Sequence, residues 1–293
     1  MPLYGITGAT GRLGGAVAHL LAGAGVQQRL IVRDPARAPD LPGADVRVAG
    51  FDDPAALAHA MDGVDVLLLV SAGESADRRT LHHHVVEAAA GAEVERVVYT
   101  SFLGAAPDCT FTFGRDHAAT ESMLEAARLP TTALRNSFYL DVLPQFVTDG
   151  ALRGPAGTGR VGAVAISDVA AVAAAALLED EHAGRTYDVT GPTALSLDEV
   201  AAEITAVTGR DVRYVEESVE EAYASRAASG APGWMVDGWV STYTAIASGE
   251  LDVVTPTVAE LTGRAPLSLR DLLLRDHDGD REAATDPGGA AGA

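Results

Sequence analysis

The stretch Thr7-Gly8-Ala9-Thr10-Gly11-Arg12-Leu13-Gly14 decides how this chain is read. It follows a short apolar run, Leu3 to Thr7, and opens an apolar-periodic run carrying Leu13, Val17, Leu20 and Leu21. Strand, glycine turn and helix in that order are the context a dinucleotide fingerprint needs. Phosphate can approach a backbone only where no Cβ stands in the way, and glycine clears that approach. The helix that follows offers unpaired N–H groups and a partial positive charge to a pyrophosphate. The spacing here is G-x-x-G-x-x-G rather than G-x-G-x-x-G. The assignment therefore rests on the position of the glycines as much as on their number.

Working outward, apolar strand-like runs at 29–33, 46–49, 64–70, 96–101 and 131–135 alternate with helical patterns at 11–24, 54–61, 77–91 and 115–128. This alternation predicts an α/β fold, a doubly wound parallel (Rossmann) sheet. The second half is less regular. Residues 150–162 are glycine-rich and read as a loop, and 161–166 read as extended. Ser167 or Asp168 is expected to cap an alanine-rich helix ending near 179, and 185–190 and 212–215 read as strands. Ser196 and Glu199 have capping-box spacing for a helix to about 208. Helical segments are expected at 219–228, 233–248, 257–262 and 268–274. The expected organisation is a dinucleotide-binding domain at 1–150, a smaller, mostly helical C-terminal lobe at 151–275 with some elements returning to the main sheet, and a disordered tail at 276–293.

With 47% hydrophobic residues and mean hydropathy +0.12, the chain can bury an ample core. The formal net charge of −20 argues against nucleic acid and anionic membrane surfaces as partners. Cys109 is the lone cysteine, which fits a reducing compartment. There is no signal-peptide layout, and no run approaches the roughly 18 apolar residues of a membrane span. A cytoplasmic protein with a small-molecule partner is expected, with a homodimer as one open assembly state. There is no lysine: all 21 basic residues are arginine. A lysine general base, Schiff base or Walker-A lysine is thereby excluded.

Val32-Arg33-Asp34 ends the second strand, about 20 residues after the glycine turn, where an arginine suits the 2′-phosphate of NADP and an acid suits the ribose of NAD. Arg33 favours NADPH/NADP, and Arg12 is placed to approach the same phosphate. Phe51 and Asp52 follow the third strand, where they would flank adenine, although Asp52 or Asp53 equally suits a helix cap. Small Ser71 ends the fourth strand, and Tyr99-Thr100-Ser101 ends the fifth. Short-chain dehydrogenases keep a serine there, followed by a Tyr-x-x-x-Lys helix. This chain instead has Phe113-Gly114-Arg115-Asp116-His117-Ala118-Ala119-Thr120-Glu121. Ketone reduction needs a strong proton donor for the developing alkoxide. Quinones and conjugated cations take hydride into a delocalised system and do not. His117 is the titratable group nearest the expected crevice, while Asn136, Phe138 and Tyr139 follow the sixth strand. Trp234 lies in the late helical lobe. His82-His83-His84 cannot converge on one ion, because successive helical residues point in different directions, so no metal site is expected.

Together, Thr7 through Gly15, Ile31-Val32-Arg33-Asp34-Pro35, Tyr99-Thr100-Ser101, His117-Ala118-Ala119-Thr120-Glu121 and Leu134-Arg135-Asn136-Ser137-Phe138-Tyr139 resemble the NmrA-like branch of atypical short-chain dehydrogenases. Within it they resemble the group of type 2 NADPH:quinone oxidoreductases and triphenylmethane dye reductases. Ala201-Ala202-Glu203-Ile204 and Val258 through Pro266 extend the likeness to about Leu274. The resemblance implies NADPH binding and direct hydride transfer to a quinone or dye without a Tyr-Lys pair. Gly50 stands where the resemblance implies an acid, and the loop 104–112 has no counterpart in it.

The candidate cofactor residues are Gly8, Thr10, Gly11, Arg12, Leu13, Gly14, Arg33, Phe51, Asp52, Ser71 and Thr100. His117, Ser101 and Tyr139 are the candidate catalytic residues, with Asn136, Phe138, Tyr139 and Trp234 lining the acceptor site. The rival readings are a non-catalytic NADP(H)-sensing regulator of the same branch and a biosynthetic tailoring reductase of an aromatic substrate.

Overall fold

Four consecutive apolar residues, Val66–Leu69, form a strand buried on both faces. In the computed structural model, which describes residues 1–275, Val66 and Leu68 enter one hydrophobic core and Leu67 and Leu69 another. A continuous apolar strand is what a parallel sheet covered by helices on both sides requires. The strands are β1 (Leu3–Thr7), β2 (Gln27–Val32), β3 (Ala44–Val48), β4 (Val66–Leu69), β5 (Arg96–Phe102), β6 (Thr131–Asn136), β7 (Ala151–Gly154), β8 (Arg160–Val161), β9 (Thr186–Val189), β10 (Leu195–Ser196) and β11 (Arg213–Glu216). Seven of them form one parallel sheet in the order β3-β2-β1-β4-β5-β6-β9. The order reverses between β1 and β4, and ligands of such sheets bind beyond the strand ends at that point.

The helices are α1 (Arg12–Gly23), α2 (Pro54–Met61), α3 (Arg78–Gly91), α4 (Thr112–Ala126), α5 (Ile166–Leu178), α6 (Leu197–Thr208), α7 (Val219–Ala227), α8 (Gly233–Ala247) and α9 (Thr257–Thr262). Val17 and Leu21 of α1 and Val169 and Val172 of α5 share one core with Ile6, Leu30 and Leu68. Leu57 of α2, Val85 of α3 and Leu124 of α4 cover the other face over Ile31, Leu67 and Val97. The remaining chain builds a smaller part from α6, α7, α8 and two two-stranded sheets, β7 with β11 and β8 with β10. Ser196 and Glu199 make the expected capping box. A last helix covers residues 269–275. The expected disordered tail, 276–293, lies outside the described residues.

Three expectations are corrected. The glycine-rich 150–162 stretch is not a loop but carries β7 and β8. Its glycines admit close packing: a Cβ at Gly154 would sit 2.3 Å from the Tyr243 ring, and one at Gly159 would sit 2.2 Å from the Ile246 carbonyl oxygen. Of the expected extended run at 161–166, Val161 belongs to β8, Val164 makes an isolated parallel bridge to Tyr139, and α5 already begins at Ile166. Helix α4 likewise starts three residues before the expected 115.

Neither Ser167 nor Asp168 caps α5. The N-cap is Ala165, without a side-chain bond, and the Ile166 N–H donates instead to Asp141 Oδ2 (2.8 Å) from a distant 3-10 turn. Asp168 lies inside the first turn and is fully buried. It accepts the Leu267 N–H at 2.7 Å and the Arg264 guanidinium at 2.5 Å, tying the segment after α9 to the sheet. Asp168→Ala orphans a buried N–H, which costs about 1–3 kcal/mol. The half-exposed arginine adds at most about 1 kcal/mol. Urea denaturation should show a loss of about 2–3 kcal/mol, and Asp168→Asn, which keeps one acceptor, about half of it.

Candidate active site

At the end of β1 the backbone turns at Gly8, with φ +66°, and the Gly11 N–H closes the turn onto the Gly8 carbonyl at 2.9 Å. A Cβ at Gly14 would stand 2.4 Å from that same carbonyl oxygen, so α1 can seat against β1 only without one. The N-cap, Gly11, offers no side chain, and the first N–H groups of α1 are left for an outside acceptor. This bare, solvent-facing turn at the switch point fits a dinucleotide pyrophosphate. Thr10 is half-buried on the turn, whereas the Leu13 side chain belongs to the core, so only its backbone serves the cradle. Arg12, exposed on the turn, forms an ion pair with Asp141 (2.6 Å).

Arg33 is exposed at the end of β2, and its Cγ lies 3.8 Å from where a Gly50 Cβ would be. Asp52 folds back over Gly50, with Oδ1 2.3 Å from that same position. The cap of α2 is Asp53, which accepts from the Ala56 N–H, so Asp52 is free of that duty. Asp34 caps the short turn behind Arg33. The structure thus gathers Arg33, Gly50 and Asp52 beyond β2 and β3. Phe51 is half-buried against the core, and its carbonyl bonds His84 Nδ1 at 2.8 Å. The Thr100 hydroxyl accepts the Ser71 N–H at 2.8 Å, stitching β5 to the exit of β4 and leaving Ser71 at the rim.

Between α3 and α4 runs a polar ladder that sequence reasoning missed. Arg79 pairs with Asp116, Arg78 Nη2 donates to His117 Nε2 (3.1 Å), and His82 Nδ1 bonds the Thr120 hydroxyl (2.7 Å). Arginine only donates, so His117 Nε2 is an acceptor, and its Nδ1–H faces the Tyr99 hydroxyl at 2.8 Å. The Ala72 N–H donates to His82 Nε2 at 2.8 Å, which fixes the same tautomer there. Both imidazoles are buried and neutral. Burial, reinforced by the Arg78 charge, lowers His82 to about 3 and drives His117 well below the ordinary imidazole range. Burial raises the Tyr99 phenol above its ordinary value.

The structure places two of the expected catalytic residues within this bonding. His117 has both ring nitrogens engaged, one with Arg78 and one with Tyr99. Ser101 donates to Glu121 Oε1, and Glu121 is gripped by Arg135 at 3.0 and 2.6 Å. Strand alternation puts Ser101 on the α4 side, one helical turn beyond His117. The signal for the ladder was present as the i, i+4 pairs Arg78–His82 and His117–Glu121, which place polar groups on one helix face.

Asn136, the chain's one asparagine, is 2% exposed at the end of β6, and its buried carboxamide makes no close hydrogen bond among the described residues beyond its interaction with the Tyr139 hydroxyl. It lies beside the Tyr139 hydroxyl, whose pKa burial pushes up to about 12. Phe138 packs edge-on to Phe102 and Phe111, with centroids 5.0 and 5.2 Å apart. Trp234 lies farther along this apolar wall, on Phe113 at 6.0 Å. His83 pairs with Glu87 and His84 with Phe51, so the three consecutive histidines diverge.

The histidine pKa values set an acid sensitivity. An unfolded histidine titrates near about 6.5, above its folded value here, so the unfolded state binds the extra proton. Stability contributed by neutral His82 is complete above about pH 6.5 and is lost as pH falls toward 3. In urea denaturation between pH 4.5 and 7, His82→Gln should flatten the pH slope by up to about 1.4 kcal/mol per unit. An unchanged slope would mean that His82 is not the proton acceptor.

A sequence profile of NAD(P)H-binding proteins matches residues 8–180. Over 277 residues, 92% of this chain and 96% of the relative, the sequence is 33% identical to quinone oxidoreductase 2 of Escherichia coli (strain K12). The fold matches the structure of an Escherichia coli NADPH-dependent quinone oxidoreductase complexed with NADPH at TM-score 0.85 and 32% identity, covering 94% of this chain and 99% of that one. Citrobacter sp. triphenylmethane reductase complexed with NADP(H) matches at TM-score 0.81 and 30% identity, over 93% and 99% of the two chains. The glycine cradle and these similarities together make the protein an NAD(P)H-dependent oxidoreductase. The chain belongs to the NAD(P)H-binding family.

Proposed function

We propose that the protein is an NADPH-dependent reductase that passes hydride directly to a quinone or a similar planar conjugated acceptor. Asn136 carries this reading. A buried carboxamide whose hydrogen-bonding capacity the Tyr139 hydroxyl alone does not fill is costly to keep unless a ligand completes it. It opens beside a protonated phenol, Tyr139, and an aromatic edge, Phe138. Phe138 offers a flat acceptor ring a stacking face, while Asn136 and Tyr139 orient its oxygens by hydrogen bonds. Bound NADPH supplies the hydride from its nicotinamide ring. Gly8, Gly11 and Gly14 hold its pyrophosphate, Ser71 lies along its path, and Arg33 meets the 2′-phosphate. With no lysine and His117 occupied, the rate comes from juxtaposition and fixed dipoles rather than from a Tyr-Lys acid.

NADPH consumption followed at the nicotinamide absorbance band across a quinone panel tests the reading. A regulator that only senses the cofactor binds it and oxidises nothing. Arg33→Ala should weaken NADPH about tenfold or more, a charge-assisted contact being worth about 1.5–3 kcal/mol, while NADH binding barely moves. Equal losses for both nucleotides would remove Arg33 from the phosphate. Asn136→Ala should lower kcat/KM for quinones about 10- to 100-fold, measured at saturating NADPH.

A further inference from the structure

Arg78 opens α3 and is 5% exposed. Its Nε donates to the Ala72 carbonyl (2.9 Å) and its Nη2 to His117, while Nη1 is buried with no partner. No carboxylate pairs with it among the described residues, and three acids on the neighbouring elements hold other arginines. Asp116 of α4 binds Arg79, Glu121 of α4 binds Arg135, and Asp141 binds Arg12. Glu74, on the loop after β4, feels the Arg78 charge but makes no ion pair, and its own burial pushes its carboxyl up. A buried cation with an empty donor and no counter-ion costs several kcal/mol, which is tolerable where a negative charge arrives in use.

The guanidinium lies beyond the ends of β4, β5 and β6, where Tyr99, His117 and Tyr139 all sense its charge. It is held from behind. The neutral imidazole of His117, fixed by Tyr99, grips Nη2, and Ala72 grips Nε, which sets the plane of the fork. We infer that Arg78 is the anion-binding group of the acceptor site, placed to stabilise the negative oxygen that forms on a quinone-type acceptor as hydride arrives. This rests on the reductase reading above. The acceptor ring gains a hydrogen and two electrons as hydride from the reduced nicotinamide. The conjugated C=C and C=O π electrons shift so that a pair ends on oxygen as an enolate-type anion, a proton from water neutralises it, and loss of the added ring hydrogen as a proton to the second oxygen (tautomerisation) completes the hydroquinone. A fixed cation aimed where charge develops substitutes for a proton donor. His117 and Tyr99 are positioning residues for it. The acceptor class follows: molecules that become oxyanions on reduction, in preference to cationic dyes, where hydride cancels a charge and leaves none to stabilise.

The test uses 4-nitrophenol, whose ionised form is coloured, titrated with pH in the presence of the full-length protein loaded with NADP+. Bound to the wild type, its apparent pKa should drop by at least about one unit, and Arg78→Gln should abolish the drop. No drop in the wild type overturns the inference, whether or not the variant folds. Arg78→Gln should also cut kcat/KM for quinones about 100- to 1000-fold, the effect of losing one oxyanion donor. Its NADPH Kd should change less than about threefold. A matching loss of NADPH affinity overturns the inference and assigns Arg78 to the cofactor. A wild type that shifts the phenol but reduces no quinone upholds the anion site and sinks the acceptor reading. A wild type that reduces quinones without shifting the phenol does the reverse.

Discussion

The contact of Gly14 with the Gly8 carbonyl sets everything downstream. A Cβ would reach within 2.4 Å of that oxygen, so the start of α1 can lie against the end of β1 only because none exists. That contact fixes where the unpaired N–H groups of α1 point, and they point into the gap left where the sheet order reverses. The sheet supplies the frame for it. β4, buried on both faces, joins the two cores, and α1 and α5 clamp one side through Val17, Leu21, Val169 and Val172. Asp141 then links the two helix starts, taking the Ile166 N–H of α5 and the guanidinium of Arg12 of α1.

A second constraint is charge. With arginine as its only strong base and a net charge of −20, the protein pairs its guanidinium groups carefully. Arg135 is held in two bonds by Glu121, and Arg264 reaches the fully buried Asp168. Such forked pairing is what arginine does better than lysine. Arg78 departs from the pattern, held by a carbonyl and a neutral imidazole instead of an acid. The residues one would first suspect of chemistry, Ser101 and His117, are those most fully consumed by this bonding. Among the described residues, the buried groups left with unfilled bonding capacity include Asn136 and one nitrogen of Arg78.

The order of strands and helices in the first half, the glycine cradle, the place of Arg33 and the aromatic run after β6 were all legible in the sequence. Each depends on local spacing: alternation, helical period or glycine at a turn. The glycines of 150–162 misled for a physical reason. Glycine marks both loose turns and tight packing, and only the ring of Tyr243 over Gly154 tells which. The start of α5 misled likewise, because its cap comes from Asp141, 25 residues away.

By itself the sequence determined the fold class, the cofactor family, the exclusion of lysine chemistry and the strand ends where a site must form. Only the tertiary structure decided which polar side chains are spent and which are free. Ser101 meets Glu121 across 20 residues, Arg78 meets His117 across 39, and Asp168 meets Leu267 across 99. Periodicity tells which face a residue occupies but not what stands opposite. The partner is chosen when helices pack, and burial then makes each such pairing strong enough to hold these side chains in place.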